Sequence, residues 1–201
     1  MGGTGEGLGG TGGQVMESGG AIGVNFESGA LSGGGVVEST RTLADLEGVF
    51  RDGCGFAGMD PRTVVYRVQA FMPVAESTEG GLFWGTTFIE PGRVGDEYFM
   101  TKGHFHAKRD RGEYYITVSG SGALLLMTED RVTRVEFMSP GSAHYIPGHT
   151  AHRVANTGDS TLSFLACWPS DAGHDYKTIA ERGFSARLRC VDGEPRLVED
   201  R

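Results

Sequence analysis

The chain lacks the features expected of a protein that binds nucleic acid or a membrane. Its 201 residues carry 18 Lys and Arg against 26 Asp and Glu, which gives a formal net charge of −8. Because the basic residues form no stripe or cluster, we expect neither nucleic acid nor an anionic membrane as a main partner. No apolar run reaches the ~18 residues of a membrane span, and no basic segment followed by an apolar one opens the chain.

Cysteine is scarce as well. Cys54, Cys167 and Cys190 are odd in number and widely spaced, which argues against the disulfide framework of a small secreted domain. We interpret them as reduced thiols of a cytoplasmic protein, with Cys167 filling an apolar site.

Helical periodicity is rare, and short strands dominate. Only Thr42–Phe50, with Ser39 or Thr40 as a possible cap, and Asp175–Glu181 favour short helices. The predicted strands are Thr63–Phe71, Leu82–Glu90, Glu97–Thr101, Tyr114–Val118, Ala123–Thr128, Thr133–Met138, Ala143–Pro147, Thr150–Asn156 and Leu162–Trp168. These strands are evenly spaced and separated by turns that contain Gly and Pro. This pattern predicts an all-β barrel or sandwich rather than a parallel α/β sheet.

Glycine is abundant, with 34 residues, but many of them fall near the start of the chain. Residues 1–20 contain almost no apolar side chain to bury, so they cannot offset the entropy of ordering. We therefore expect a disordered Gly-rich tail over residues 1–20 and one folded domain over residues 21–201, a length that supports a real hydrophobic core.

The most informative motif is a pair of histidines followed by a carboxylate. His104 and His106 lie two apart, a spacing that directs both imidazoles to one side of an extended strand. Glu113 follows after the polar insert 107–112, and His152 comes after a turn that contains Pro147 and Gly148. Three imidazoles and one carboxylate suit a divalent first-row metal, such as iron, manganese, nickel or zinc.

These motifs resemble those of the cupins, small metal-binding β-barrels. Six residues separate His106 from Glu113, where a common cupin pattern has three or four, and His149 stands where a glycine is usual. The longer insert is similar to one family, the cupin-type glucose-6-phosphate isomerases known mainly from archaea. The similarity covers Val24 to the C-terminus and is carried by segments 101–108, 110–111, 151–153, 171–176 and 178–181, with shorter matches at 86–87, 91–92 and 94–95.

The resemblance implies a cupin double-stranded β-helix barrel of the jelly-roll type with few helices. It also implies a cytoplasmic, homodimeric isomerase of glycolysis and gluconeogenesis that interconverts glucose 6-phosphate and fructose 6-phosphate. One divalent ion per subunit, with Fe²⁺ favoured over Mn²⁺, Ni²⁺ or Zn²⁺, would be held by His104, His106, Glu113 and His152. In the family an N-terminal strand packs on the second subunit, and Val24–Glu38 matches that position.

The resemblance assigns the remaining site residues too. Those expected to bind the phosphate and the sugar are Tyr66, Thr87, Thr101, Gly103 and Tyr176, and those expected to act in catalysis are Glu113, Tyr115 and His174. Taken singly, Tyr66 and Thr87 are as well explained by ordinary strand packing. Trp168 stands where the family has a tyrosine, so one hydroxyl contact is missing.

Isomerisation moves a hydrogen between C1 and C2 of the open-chain sugar. The expected route removes a proton next to the carbonyl and passes through a metal-stabilised cis-enediol(ate), with Glu113 as the base. Coordination would lower the pKa of Glu113 and weaken it as a base, so a metal-assisted hydride shift stays open. Two other functions use the same motifs: a cupin dioxygenase, and a sugar-binding cupin without activity.

Overall fold

A computed structural model describes residues 20–199, so the expected Gly-rich tail over residues 1–20 lies almost wholly outside the described residues. The described strands are β1 (Gly23–Val24), β2 (Leu31–Ser32), β3 (Val36–Thr42), β4 (Val64–Phe71), β5 (Leu82–Ile89), β6 (Arg93–Val94), β7 (Glu97–Tyr98), β8 (Glu113–Ser119), β9 (Gly122–Thr128), β10 (Thr133–Met138), β11 (Ala143–Ile146), β12 (Thr150–Asn156), β13 (Leu162–Pro169), β14 (Ala186–Val191) and β15 (Glu194–Glu199). The helices are short: α1 (Gly53–Ala57) and α2 (Lys177–Arg182). In this range no helix is both long and apolar enough to cross a membrane.

Antiparallel sheets form the barrel. One wall is a six-stranded sheet in the order β11-β8-β13-β5-β4-β3, and the opposite wall is the three-stranded sheet β10-β9-β12. The central strand β9 is buried from Gly122 to Met127, and its leucines pack in one core with Phe164 and Ile89 of the other wall. This architecture confirms the predicted all-β cupin barrel with few short helices.

Period-2 alternation on β8 explains how the barrel interior acquires polar groups. Glu113, Tyr115 and Thr117 are buried, whereas Tyr114 and Ile116 between them are exposed. Because successive side chains of a strand point to opposite faces, Glu113 and Tyr115 enter the barrel together.

The segment before the insert joins the three-stranded wall without forming a long strand. Met100 pairs with Ala155, and His104 pairs with His152, each as an isolated antiparallel bridge. Between them the Thr101 amide donates to the Val154 carbonyl at 2.9 Å. The predicted strand Glu97–Thr101 is therefore shorter, ending as β7 at Tyr98, but the chain continues alongside β12.

The nine predicted strands are all present, whereas the helix predicted over Thr42–Phe50 is wrong. Only Ala44–Leu46 forms a 3₁₀ turn, and Ser39 and Thr40 belong to β3. The Thr42 amide is capped by Asp45, and Gly48 adopts a φ of +77°, which ends helical conformation. Helix α2 lies close to the predicted Asp175–Glu181, while β14 and β15 were not predicted.

Asn156 ties the two walls together, and we expect its replacement to destabilise the fold. It is fully buried; its Nδ2 donates to the Ile89 carbonyl on β5 and to the Ser160 carbonyl, both at 2.8 Å. Asn156→Ala leaves both carbonyls without a partner, so the free energy of unfolding should fall by about 2–4 kcal/mol. Urea denaturation measures this, and Asn25→Ala in an exposed turn is the control, with an expected cost of less than ~1 kcal/mol. Equal costs for the two variants would contradict this role.

Candidate metal and sugar site

Four side chains meet where the two walls of the barrel approach each other. His104, His106, Glu113 and His152 each present one donor atom, and these atoms all lie within 4.8 Å of one another. His104 and His106 come from the segment paired with β12, His152 from β12 itself, and Glu113 from the first position of β8. The structure thus brings together all four residues that the motif predicts as metal ligands.

Two atoms of this cluster are buried without a hydrogen-bond partner. They are Oε1 of Glu113 and Nε2 of His152, which lie 2.6 Å apart, and both residues are nearly inaccessible to solvent. His106 Nε2 lies 3.6 Å from the same Glu113 oxygen. Buried polar atoms without partners are rare because they lose their hydration without compensation. Three imidazoles and a carboxylate directed at one point fit a divalent cation.

Hydrogen bonds behind the imidazoles fix which nitrogen faces the cluster. Nδ1 of His106 donates to the Arg111 carbonyl at 2.8 Å, and Nδ1 of His152 donates to the Thr150 carbonyl at 3.4 Å. A proton on Nδ1 leaves the Nε2 lone pair free to coordinate a cation, which is the usual arrangement behind metal-bound histidines.

The electrostatics of the cluster favour a neutral His104 and an ionised Glu113. Burial would lower the pKa of His106, but Glu113 and the Arg111 carbonyl outweigh it and raise that pKa. Burial, followed by the neighbouring His152 and His174, lowers the pKa of His104 well below 6.5. Burial alone would raise the pKa of Glu113, but the neighbouring His152 and His106 outweigh it and hold that pKa below its usual value. Burial, and then Glu113, raise the pKa of Tyr115 well above 10, so its hydroxyl stays neutral.

Gly103 lets the chain pass close to its neighbours before the histidine pair. Its φ is +74°, and an added Cβ would lie 2.9 Å from the Phe184 ring and 3.1 Å from Arg153. Only glycine meets both constraints without strain. The Arg153 guanidinium stacks over Phe184 and donates to the Lys102 carbonyl, which holds this segment against β12.

A cavity of about 370 Å³ opens beside the cluster. Its walls contain three of the four cluster residues, His104, Glu113 and His152. They also contain every other residue predicted for the site, namely Tyr66, Thr87, Thr101, Gly103, Tyr115, His174 and Tyr176. Their roles stay predictions, and for Tyr66 and Thr87 the alternative of ordinary strand packing stays open.

The loop before α2 places two aromatic rings over the cluster. His174 and Tyr176 stack in parallel, with centroids 5.4 Å apart and 5° between their planes. The His174 ring lies 4.5 Å from His104, and the Tyr176 ring lies 5.3 Å from it. The loop therefore covers the side of the cluster that β8 and β12 leave open.

Ion pairs fasten this loop to the polar insert. Asp171, which is almost buried, accepts hydrogen bonds from Lys108 at 2.8 Å and from two nitrogens of Arg111 at 2.9 Å. Arg109 pairs with Asp175 at 2.5 Å. Hydrogen bonds from Thr178, and then the one from Arg109, lower the pKa of Asp175 to about 2. The insert and the loop thus form one charged scaffold around the cluster.

The structure also shows where the remaining lysines and histidines considered in the sequence analysis lie. Lys102 lines the cavity, whereas Lys108 is engaged by Asp171. His144, which was assigned a structural role, is buried between Glu136 and Ser142, with contacts of 2.9 Å and 2.8 Å. His149 is exposed with a φ of +60°, the conformation for which the usual glycine is suited.

Trp168 occupies the family's tyrosine position on the cavity wall. Gly85 on the neighbouring strand gives it room, since an added Cβ there would lie 3.0 Å from the indole. The indole packs edge-on against Phe83, with ring centroids 5.9 Å apart. The Trp168 indole therefore gives the cavity an apolar surface where the family's tyrosine would present a hydroxyl.

Sequence reasoning missed two residues of the cavity wall, Ser39 and Arg41. Both lie on β3, which was not predicted as a strand. The alternation of small polar and charged residues in Val36–Thr42 was a signal that could have placed them on one face.

Comparison with known proteins agrees with this geometry. A family model described as Glucose-6-phosphate isomerase (GPI) matches residues 40–199. The Glucose-6-phosphate isomerase of Pyrococcus horikoshii is 46% identical over 179 residues, which cover 88% of this chain and 93% of that protein. The protein of the same name from Pyrococcus furiosus is 44% identical over 88% of this chain and 93% of its own length. That of Sinorhizobium medicae is 39% identical over 84% and 78%.

Among solved structures, Bacillus subtilis oxalate decarboxylase matches 55% of this chain and 26% of its own, with 24% identity and a TM-score of 0.42. That likeness is too distant to bear on function. The family match and the relatives, by contrast, span most of the chain. The chain belongs to the glucose-6-phosphate isomerase family.

Proposed function

We propose that this chain is a metal-dependent aldose–ketose isomerase that interconverts glucose 6-phosphate and fructose 6-phosphate. The observation that carries the proposal is the cluster of His104, His106, Glu113 and His152 at the wall of a cavity of about 370 Å³. Membership of the family supplies the substrate, and the cavity is of a size that accommodates one small polar ligand. The activity belongs to glycolysis and gluconeogenesis, in the cytoplasm.

The four donors would hold one divalent ion, for which we propose Fe²⁺. Four protein ligands leave positions open for the substrate, as catalytic sites require. When bound, such an ion supplies positive charge that polarises sugar oxygens and stabilises negative charge on them. Imidazole and carboxylate ligands bind Mn²⁺, Ni²⁺ and Zn²⁺ as well, so we expect several ions to restore function.

Glu113 and Tyr115 are the groups that would handle the proton. They point into the cavity from the same face of β8, and the Tyr115 hydroxyl stays neutral beside the Glu113 carboxylate. In our proposal Glu113 carries the proton between C1 and C2 through a cis-enediol, and Tyr115 orients it. His174, stacked beside His104, would contact the sugar oxygens.

The phosphate and the sugar hydroxyls would be held by other donors around the cavity. We assign this role to Tyr66, Thr87, Thr101, the Gly103 amide and Tyr176, which all line the cavity. Hydroxyls and backbone amides bind phosphate oxygens by direct hydrogen bonds.

Metal content offers the first test. We expect about one divalent ion per chain in protein loaded with Fe²⁺ or Mn²⁺, measured by plasma mass spectrometry after desalting, and a lower thermal midpoint after chelation. His152→Ala should lose the ion because it removes one of four ligands. His144→Gln, which alters a buried histidine outside the cluster, should keep it. Stoichiometric metal in the His152 variant would contradict the assigned site.

Turnover offers the second test. A coupled assay from fructose 6-phosphate to glucose 6-phosphate should show activity in loaded protein, none after chelation, and recovery when the ion returns. Glu113→Gln should lower kcat by about 100-fold or more, whereas Tyr115→Phe should cost roughly tenfold. No turnover of hexose phosphate, together with oxygen uptake on a diol, would replace the isomerase with a dioxygenase.

The same assay in D₂O separates the two routes for the hydrogen. A carboxylate base exchanges its proton with solvent, so a proton-transfer route places deuterium at C2 of the glucose 6-phosphate formed from fructose 6-phosphate. A hydride shift leaves C2 unlabelled. We expect label, and its absence would assign Glu113 to coordination alone.

We also propose that the chain forms a homodimer through the outer face of the six-stranded sheet. One row across this sheet pairs Tyr145, Tyr114, Cys167, Trp84 and Phe71 on neighbouring strands. The rings of Tyr114 and Tyr145 lie 5.1 Å apart and are both more than half exposed. Contiguous exposed apolar rows of this kind are typical of protein interfaces.

The N-terminal segment expected to contact a partner lies on this same face. The Gly29 carbonyl accepts a hydrogen bond from Thr86 of β5 at 2.7 Å, and the Leu31 amide donates to Gln69 of β4 at 2.8 Å. Segment Val24–Glu38 therefore lies on the six-stranded sheet of the same subunit, beside the apolar row. A second subunit docked on this face would contact the segment and the row.

Sedimentation velocity tests the dimer. Wild-type protein should sediment as a dimer, and Tyr114→Lys combined with Ile116→Lys should shift it to the monomer, because two charges would be buried without partners. Phe137→Lys is the matched control, since Phe137 is an exposed aromatic residue on β10 of the other sheet. A monomeric wild type, or dissociation by the Phe137 variant alone, would refute this interface.

A further inference from the structure

Arg41 is a charged residue on the wall of the active cavity that the proposed set of substrate contacts does not include. It lies on the edge strand β3 and is paired in register with Tyr66 of β4. Its side chain faces the cavity together with Ser39, two positions earlier. This is the alternation expected of a strand whose inner face lines the barrel.

A β-bulge interrupts the pairing of β3 with β4 directly after Arg41. The pairing of β3 with β4 shifts register between Arg41 and Thr42, so that Thr42 pairs with Val64 rather than Val65. Bulges on edge strands redirect a side chain and are common beside active sites. The bulge lies directly after the arginine that enters the cavity.

The guanidinium of Arg41 has no ion-pair partner among residues 20–199. Its hydrogen bond in this range is to the neighbouring Thr40 carbonyl at 2.9 Å. The other basic residues around the site are engaged: Arg111 and Lys108 bind Asp171, and Arg109 binds Asp175. The charge of Arg41 acts on Asp45 nearby, but no contact ion pair joins them in the described chain, and a half-buried arginine without one is positioned to receive an anion from solution.

The charged residues of the cavity wall also favour anion binding at Arg41. Along this wall, within the described chain, the cations are Arg41 and Lys102, and the carboxylate is Glu113. Glu113 belongs to the metal cluster on β8, and three strands of the sheet separate it from β3. Arg41 therefore lies at the β3 end of the six-stranded wall, with three strands between it and the carboxylate of Glu113.

Two tyrosines surround this cation. Burial, and then the neighbouring Tyr176, raise the pKa of Tyr66 to about 12, while the charge of Arg41 acts in the opposite direction. Arg41 has the same lowering influence on the pKa of Tyr176, against the effect of burial. Arg41 is thus near both phenols, which can donate hydrogen bonds to the same anion.

We propose that Arg41 binds the phosphate of the substrate and makes the site specific for a phosphorylated sugar. The inference rests on the proposed isomerase function and deepens it. The contacts assigned to the phosphate above are all neutral, and a dianion held by neutral donors alone gains little charge compensation. A guanidinium supplies charge and two parallel donors that match phosphate oxygens, while Lys102, which lines the same cavity, adds a second positive charge.

The test compares substrate affinity with turnover in Arg41→Gln protein loaded with metal. The KM for fructose 6-phosphate should rise about 10- to 100-fold with a much smaller change in kcat, since a charged hydrogen bond is lost at a group remote from the C1–C2 bond. The inhibition constant of inorganic phosphate should rise by a similar factor. Arg41→Lys should recover part of both losses.

Arg67→Gln is the matched control. Arg67 is the next residue along β4 from Tyr66 and points to the outer face, where it lies over the Phe88 ring and 3.9 Å from Glu38 and Glu90. Its loss should leave both constants within about twofold of wild type. An Arg41→Gln enzyme with wild-type KM and wild-type phosphate inhibition would overturn the proposal.

Phosphate binding measured by calorimetry separates this inference from the proposed function. If wild-type protein turns over no hexose phosphate but binds inorganic phosphate, and Arg41→Gln abolishes that binding, the anion site stands and the isomerase assignment fails. If wild-type turnover is normal and phosphate affinity is unchanged in Arg41→Gln and in Arg41→Lys, the isomerase assignment stands and the anion site at Arg41 fails. Metal content of each variant should stay at the wild-type level, which excludes loss of the cluster as the cause.

Discussion

The contact between Glu113 and His152 is the constraint on which the site depends. Glu113 begins β8 in the six-stranded wall and His152 lies on β12 in the three-stranded wall, yet their donor atoms are 2.6 Å apart and buried without a hydrogen-bond partner. Such proximity exists only when the two walls close on each other. Removing these groups from water is costly unless a cation compensates for it, so barrel closure and ion binding are coupled. The hydrogen bonds of Asn156 to β5 and the pairing of His104 with His152 hold the walls in the register that this requires.

Ion pairs fix the parts of the site that lie in loops rather than in strands. The insert 107–112 has the Lys, Arg and Asp composition of a solvated loop, but Lys108, Arg109 and Arg111 are bound to two aspartates of the segment before α2. The same segment carries His174 and Tyr176 over the cluster. The insert therefore needs six residues, since it must supply three cations for the loop as well as the carbonyl of Arg111 that orients His106. This gives a physical reason for the long spacing between the histidine pair and Glu113.

Local pattern was enough to predict nine of the described strands and the four clustered residues, because both follow from short-range rules. Period-2 alternation and turn residues define strands, and ligand spacing on extended chain defines a metal motif. What escaped prediction depends on distant partners. The helical pattern of Thr42–Phe50 gave way to Asp45 capping Thr42 and to Gly48. Arg41 has no motif around it, and only the pairing of β3 with β4 shows that it faces the cavity. The aspartates of the loop were visible, but their pairing with cations some sixty residues away was not.

In the proposed function Glu113 would act both as a metal ligand and as a base. The positions of its two carboxylate oxygens suggest how these roles are divided. The histidine contacts that lower the pKa of Glu113 make it a good ligand and a poor base. Both histidine nitrogens approach the same oxygen, Oε1, at 2.6 and 3.6 Å. The carboxylate can thus face the cluster with one oxygen and the cavity with the other. Tyr115 lies on the cavity side and stays neutral, so it can donate to the carboxylate without competing for the cation. A base of low pKa still works when the proton it removes has itself been acidified, and that is the effect of a polarised carbonyl. In the proposed mechanism a bound ion would acidify the proton to be removed while it lowered the basicity of Glu113, so one buried carboxylate could fill both roles.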